Sequence, residues 1–136
     1  MIVDKQKQAL AQLQEKIDII NRCIDKNVVG AELEKLKEQQ EAPAFWQDLS
    51  NAQKVNKQIK HLSKKLETRN LIESKKEYIL ELIELLETSD DKDMLAELES
   101  ELKSLSKLVQ STFLTTLLSE KYDDNNAILT IHSGAG

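Results

Sequence analysis

The stretch IESKKEYILELIELLETSDDKDMLAELESELKSLSKLV, residues 72–109, decides the fold. In its first half Ile72, Ile79, Ile83 and Leu86 recur in steps of seven, four and three residues; in its second half Met94, Leu95, Leu98, Leu102, Leu105 and Val109 form a similar stripe. Such spacing keeps one seam of a helix turned towards a partner. Between the halves lie Thr88, Ser89, Asp90 and Asp91, turn-formers and acids that end one helix and begin the next. Two long helices joined by a short polar loop read as an antiparallel hairpin.

Upstream of the hairpin nothing breaks the helix back to about residue 48. Ala52, Val55, Ile59, Leu62 and Leu66 hold a three-four rhythm, which resumes in a shifted phase at Ile72. That shift, around Arg69, should alter the supercoil locally. Asp48 and Ser50 are candidate caps, because their oxygens can accept the unpaired amide hydrogens of a first turn. Further upstream Leu10, Leu13, Ile17, Ile20 and Ile24 mark an amphipathic helix over 4–25. Gly30 then punctuates, and a short helix over 31–41 carries Leu33 and Leu36 until Pro43 disfavours helical backbone at Ala42. Phe45 and Trp46 come next, an adjacent aromatic pair read as closing the end of the bundle core, with an exposed docking anchor as the alternative reading.

Composition agrees with this pattern. The 136 residues are 40% hydrophobic and 32% charged, with 3 glycines, 1 proline and 4% aromatics, which argues against sandwiches, disordered tails and glycine-looped nucleotide folds. The fold class expected is all-α, an antiparallel helical bundle or coiled-coil hairpin, with helices over 4–25, 31–41, 48–87 and 92–118 in one domain spanning 1–121. Beyond it Tyr122, Asp123, Asp124, Asn125 and Asn126 are turn chemistry, and Ala127 to His132 is β-prone, with Leu129 and Ile131 on one side. Residues 122–136 are expected to be the first strand of a second, α/β domain. A lone strand lacks a partner in this sequence, so the chain is expected to be the first part of a longer protein, or to pair edge to edge with a second copy through 127–132.

The formal net charge of −5 gives the whole chain no nucleic-acid footprint, so any basic surface must be local. Such a surface exists. From 54 to 76 there are eight bases against two acids, and from 77 to 102 ten acids against Lys92 alone. Folding the hairpin gathers acids at the 88–91 tip and leaves a basic shaft that includes His61. One reading is an acidic tip for a basic protein surface and a basic shaft for phosphate. The plainer reading is a set of solvated helix faces.

Catalytic signals are sparse: His61 and His132 fall in different elements, and no Cys or His pair has metal-ligand spacing. The Asp123–Asn126 run lacks the glycine and distal glutamate of a calcium loop. No enzyme activity, metal or cofactor is expected. Cys23, the single cysteine, reads as packing, and no apolar run is long enough for a bilayer, so a soluble cytoplasmic protein without membrane contact is expected.

Taken in order, the heptad helix, the segment Ala42-Pro43-Ala44-Phe45-Trp46-Gln47-Asp48, the charged hairpin and the closing LLSEKYDDNNAILTIHSGAG of 117–136 resemble the N-terminal part of the bacterial release factor 2 family. These are class I peptide chain release factors that end translation at UGA and UAA. The Phe45-Trp46 step and the Tyr122-Asp123 start of the strand look like that family rather than its sister for UAG. The resemblance implies a helical first domain on a flexible tether. The family's glycine-glycine-glutamine and serine-proline-phenylalanine tripeptides are not in this chain, so no catalytic or codon-reading residue carries over. As partners it implies the ribosome, at the RNA and protein of the large-subunit stalk base, and the GTPase release factor. The residues assigned are Glu87, Asp90, Asp91 and Asp93 for protein docking and Lys57, Lys60 and Lys64 for RNA docking. The alternative is a free-standing coiled-coil protein that self-associates through its heptad seams.

Overall fold

The computed structural model describes residues 3–124, with side-chain environments through Ser119. Four α-helices and one 3-10 turn account for nearly all of it. The expected strand over 127–132 lies outside the described residues.

Helix α1 spans Asp4–Cys23 and buries Gln6, Leu10, Leu13, Ile17 and Ile20, the seam that the spacing marks. It stops two residues short of the expected 25 because Asp25 takes an extended conformation and caps α2, Lys26–Glu41. The Asp25 carboxylate accepts from the amides of Asn27, at 2.8 Å, and Val28, at 3.3 Å. Helix α2 therefore begins five residues before the expected 31, and Gly30 lies within it rather than between helices. A good N-cap is worth about 1 kcal/mol, comparable with what one interior glycine costs, so a single glycine does not move the break. Ala42 is extended, with ψ of 133°, as a residue before proline should be.

A 3-10 turn, Phe45–Gln47, links α2 to α3, Leu49–Glu87. Of the two candidate caps, Asp48 takes the role: its carboxylate accepts the Asn51 amide at 3.1 Å, while Ser50 lies inside the helix. Along its 39 residues α3 changes the face it buries. Ala52 and Val55 are buried in the first half, Ile72, Ile79, Leu82, Ile83 and Leu86 in the second. At 100° per residue the two sets point roughly 150° apart, the phase shift expected around Arg69. Arg69 itself is half-buried and donates to the Ile24 carbonyl, one residue past α1, where a helix leaves acceptors unpaired.

The chain turns over 88–91, with the Thr88 hydroxyl donating to the Leu85 carbonyl at 3.3 Å. Asp91 caps α4, Lys92–Asp124, by accepting from the amides of Asp93 at 3.0 Å and Met94 at 3.1 Å. Helix α4 passes both the expected end at 118 and the boundary set at 121/122, and Asp123 and Asp124 are helical rather than turn residues. Turn-formers only compete with the helix, whereas each residue added to an existing helix gains a backbone hydrogen bond.

The chain divides into two compact units. One joins Met1–Cys23 to the chain from Ile72 onward, and the other is Ile24–Leu71. In the first, α3 and α4 run antiparallel, since Lys75 pairs with Glu101 at 3.7 Å and Tyr78 hydrogen-bonds Glu97. Helix α1 packs along α4 in the parallel sense, with Gln6 donating to Glu99 and Lys16 to Gln110. The aliphatic seams of all three helices are buried, with Ile20, Ile79, Leu98, Leu105 and Val109 fully enclosed. The second unit has a smaller core in which Phe45, Ala52 and Val55 are buried against Leu36 and Ile59.

Candidate docking surfaces

In the Ile24–Leu71 unit, the face of α3 opposite Ala52 and Val55 is basic. Lys57, Lys60 and Lys64 are all exposed, and Lys54 and His61 join them. Helical geometry places these five within about 120° of one another, with Lys57 and Lys64 two turns, roughly 10 Å, apart. Between 49 and 66 there is no acidic residue to offset them. Ammonium groups repeated on one face at this spacing form a row that a phosphate backbone can follow.

The acidic tip, in the other unit, is less free than the sequence implies. Glu87 forms an ion pair with Lys7 of α1 at 2.6 Å, and this hydrogen bond raises the Lys7 pKa above its ordinary value. Asp91 is occupied with the α4 amides. Two of the four residues assigned to protein docking therefore serve the fold. Asp90 and Asp93 are exposed and, among the described residues, their carboxylates have no partner. Nearby, Glu97 accepts the Tyr78 hydroxyl, which with slight burial and the surrounding carboxylates raises the tyrosine's pKa. Glu77, Glu81 and Glu84 extend the exposed acidic surface along α3, with Leu80 and Leu85 exposed beside them.

Phe45 and Trp46 part company, and only the first closes a core. Phe45 is 5% exposed, whereas Trp46 is 59% exposed and meets the Phe45 ring edge to face, centroids 4.8 Å apart and planes at 86°. Neighbours in a 3-10 turn point about a third of a turn apart, so both cannot enter one core.

Among the described residues, no group of three or more His, Cys, Asp and Glu is placed to hold a metal ion, and no helix is long and apolar enough to cross a membrane.

A helical hairpin with a third helix parallel to its second arm, and with charge segregated along the sequence of its arms, is the class of architecture that these residues build. The PCRF domain family matches residues 29–136, and the chain belongs to that family. It is similar to proteins named peptide chain release factor 2: 36% identical over 127 residues to that of Helicobacter pylori strain G27, covering 93% of this chain and 35% of the relative. The Petrotoga mobilis protein is 34% identical over 136 residues, covering 100% of this chain and 37% of the relative. The Streptomyces avermitilis protein is 31% identical over the same length, with the same coverage. The chain thus spans about a third of the length of these relatives. No solved structure matches it. The helices described above are a release-factor helical domain.

Proposed function

We propose that this domain docks a UGA- and UAA-specific class I release factor on the ribosome. The exposed row Lys57, Lys60 and Lys64 meets ribosomal RNA, and the tip carboxylates Asp90 and Asp93 meet a basic protein. The large-subunit stalk base, where RNA and protein lie side by side, offers both chemistries, and the GTPase release factor is the second partner. The domain acts by binding, in the cytoplasm, and does not itself hydrolyse peptidyl-tRNA. Glu87 and Asp91 hold the tip's shape and contribute only to its field.

The observation that carries this reading is the acid-free basic face of α3 over 49–66 in a chain whose net charge is −5. A basic row retained against the overall charge is what local phosphate recognition requires. Co-sedimentation with bacterial 70S ribosomes across a salt series tests it. The expected result is salt-sensitive binding that Lys57→Glu/Lys60→Glu/Lys64→Glu weakens, lowering the slope of log affinity against log salt by about 2. Equal binding by both proteins at every salt concentration would remove the RNA assignment.

A further inference from the structure

Trp46 has a use that the docking of lysines on phosphate leaves untouched. An indole buries 150–250 Å² when it enters a core, yet this one stays 59% exposed. It is nonetheless held in place. Its neighbour Phe45 is locked among Ala52, Val55, Leu36 and Ile59, and the two rings meet edge to face at 4.8 Å. The backbone is pinned on both sides, by Phe45 N–H to the Ala42 carbonyl at 3.0 Å and Gln47 N–H to the Ala44 carbonyl at 3.1 Å. The Asp48 cap then fixes the entry into α3. The backbone that carries Trp46 is therefore fixed, and its ring rests against Phe45 with more than half of its surface open to solvent, so less order has to be gained on binding than for a ring on a free loop.

The residues C-terminal to it set the partner. Gln47, Ser50, Asn51 and Gln53 are exposed and uncharged, Leu49 is 70% exposed, and Lys54 and Lys57 open the basic row. From Leu49 to Lys57 is about 12 Å of helix, the rise of three to four stacked nucleotides. A ring bordered by amides and succeeded by ammonium groups suits an unpaired base and the phosphates beside it, because every base offers a π-face and aromatic platforms with basic tracks are how single strands are held.

We infer that Trp46 is a stacking platform for an unpaired RNA base, with Lys54 and Lys57 holding the phosphates next to it. This rests on the RNA reading of Lys57, Lys60 and Lys64, and adds that the bound RNA is single-stranded at that end.

Trp46 is the sole tryptophan, so its emission reports on the proposed site alone. The whole chain is titrated at low salt with an end-labelled twelve-nucleotide rA strand and with a duplex of the same length, following RNA anisotropy and indole emission together. Binding of the single strand should quench the indole, and Trp46→Ala should weaken that binding roughly 5- to 150-fold without changing its salt slope. Lys57→Glu/Lys60→Glu/Lys64→Glu should lower the slope while leaving the quenching at saturation. Strand binding with unchanged emission, and with Trp46→Ala binding like the parent, overturns the platform and leaves the basic row standing. Equal quenching by the duplex overturns the unpaired base. No binding of either RNA overturns both readings, as would quenching obtained only with an acidic protein.

Discussion

The two units of the chain are built on opposite principles. The unit formed by α1, α4 and the chain from Ile72 encloses aliphatic side chains at regular three- and four-residue spacing, and its outer charges pair across helices, Lys7 with Glu87 and Lys75 with Glu101. The Ile24–Leu71 unit buries only Ile24, Val29, Leu33, Phe45, Ala52 and Val55, and leaves Trp46, Leu49 and a row of lysines outside. Buried apolar area is the main stabilising quantity, so the first unit is the scaffold, and in the docking proposed above the second is the recognition unit. Helix α3 contributes to both, and its change of buried face falls where the chain passes from one unit to the other.

The largest expected effect is on the scaffold. Leu105 is fully buried in the aliphatic seam, and Leu105→Ala should lower unfolding free energy by about 2–5 kcal/mol, read by urea denaturation. A loss well below that range would mean the seam is loosely packed, and the contrast between units would weaken. Native-state hydrogen exchange sharpens the same contrast. Amides of α2 and of 49–66 should exchange through smaller openings than those of 98–109, and the reverse order would invert the assignment of scaffold and recognition unit.

Smaller effects test single contacts. Asp91→Ala removes the α4 cap and should cost about 1 kcal/mol, distinguishing a structural carboxylate from Asp90, whose replacement by alanine should leave stability unchanged. Gly30 sits in mid-helix, and a methyl group added there would meet no atom within 4 Å, so Gly30→Ala should stabilise the recognition unit by about 0.4–1 kcal/mol. Thermal melts of the three variants beside the parent would show a loss for Asp91→Ala, no change for Asp90→Ala and a gain for Gly30→Ala.

The smallest effect lies at alkaline pH. Tyr78 and Lys7 both have pKa values raised by hydrogen bonds to carboxylates, from Glu97 and Glu87 respectively. A raised folded-state value means that the stabilisation is complete below the ordinary value near 10 and is lost as pH rises through the folded one. Ultraviolet titration in a Tyr122→Phe background should place the Tyr78 midpoint above its ordinary value, and Glu97→Gln should lower it. An ordinary midpoint in the parent would remove the Tyr78–Glu97 contact between the arms.

Much of the scaffold is legible in the sequence because it is written in periodicity. The hairpin stripes, the 88–91 turn, the Asp48 cap and the phase shift near Arg69 all follow from local spacing. The features that escape such a reading depend on competition or on distant partners. Gly30 has the composition of a break, but the Asp25 cap outweighs it, and the acids after Tyr122 have the composition of a turn although α4 continues through Asp124. At the candidate sites, the exposed lysines can be read from charge and helical phase alone. That Glu87 is taken up by Lys7 cannot, since that pairing depends on the register between helices far apart in sequence. Phe45 and Trp46 are told apart only by the tight turn that holds both, which no helical or strand period announces.

The central claim is that the basic row of α3 and the acidic tip between α3 and α4 meet different chemistry, RNA at the first and protein at the second. The most direct test places a diazirine-bearing side chain at position 57 or at position 90 and irradiates the chain bound to bacterial 70S ribosomes. The expected result is ribosomal RNA adducts from position 57 and protein adducts from position 90. Adducts of one class from both positions would contradict the claim.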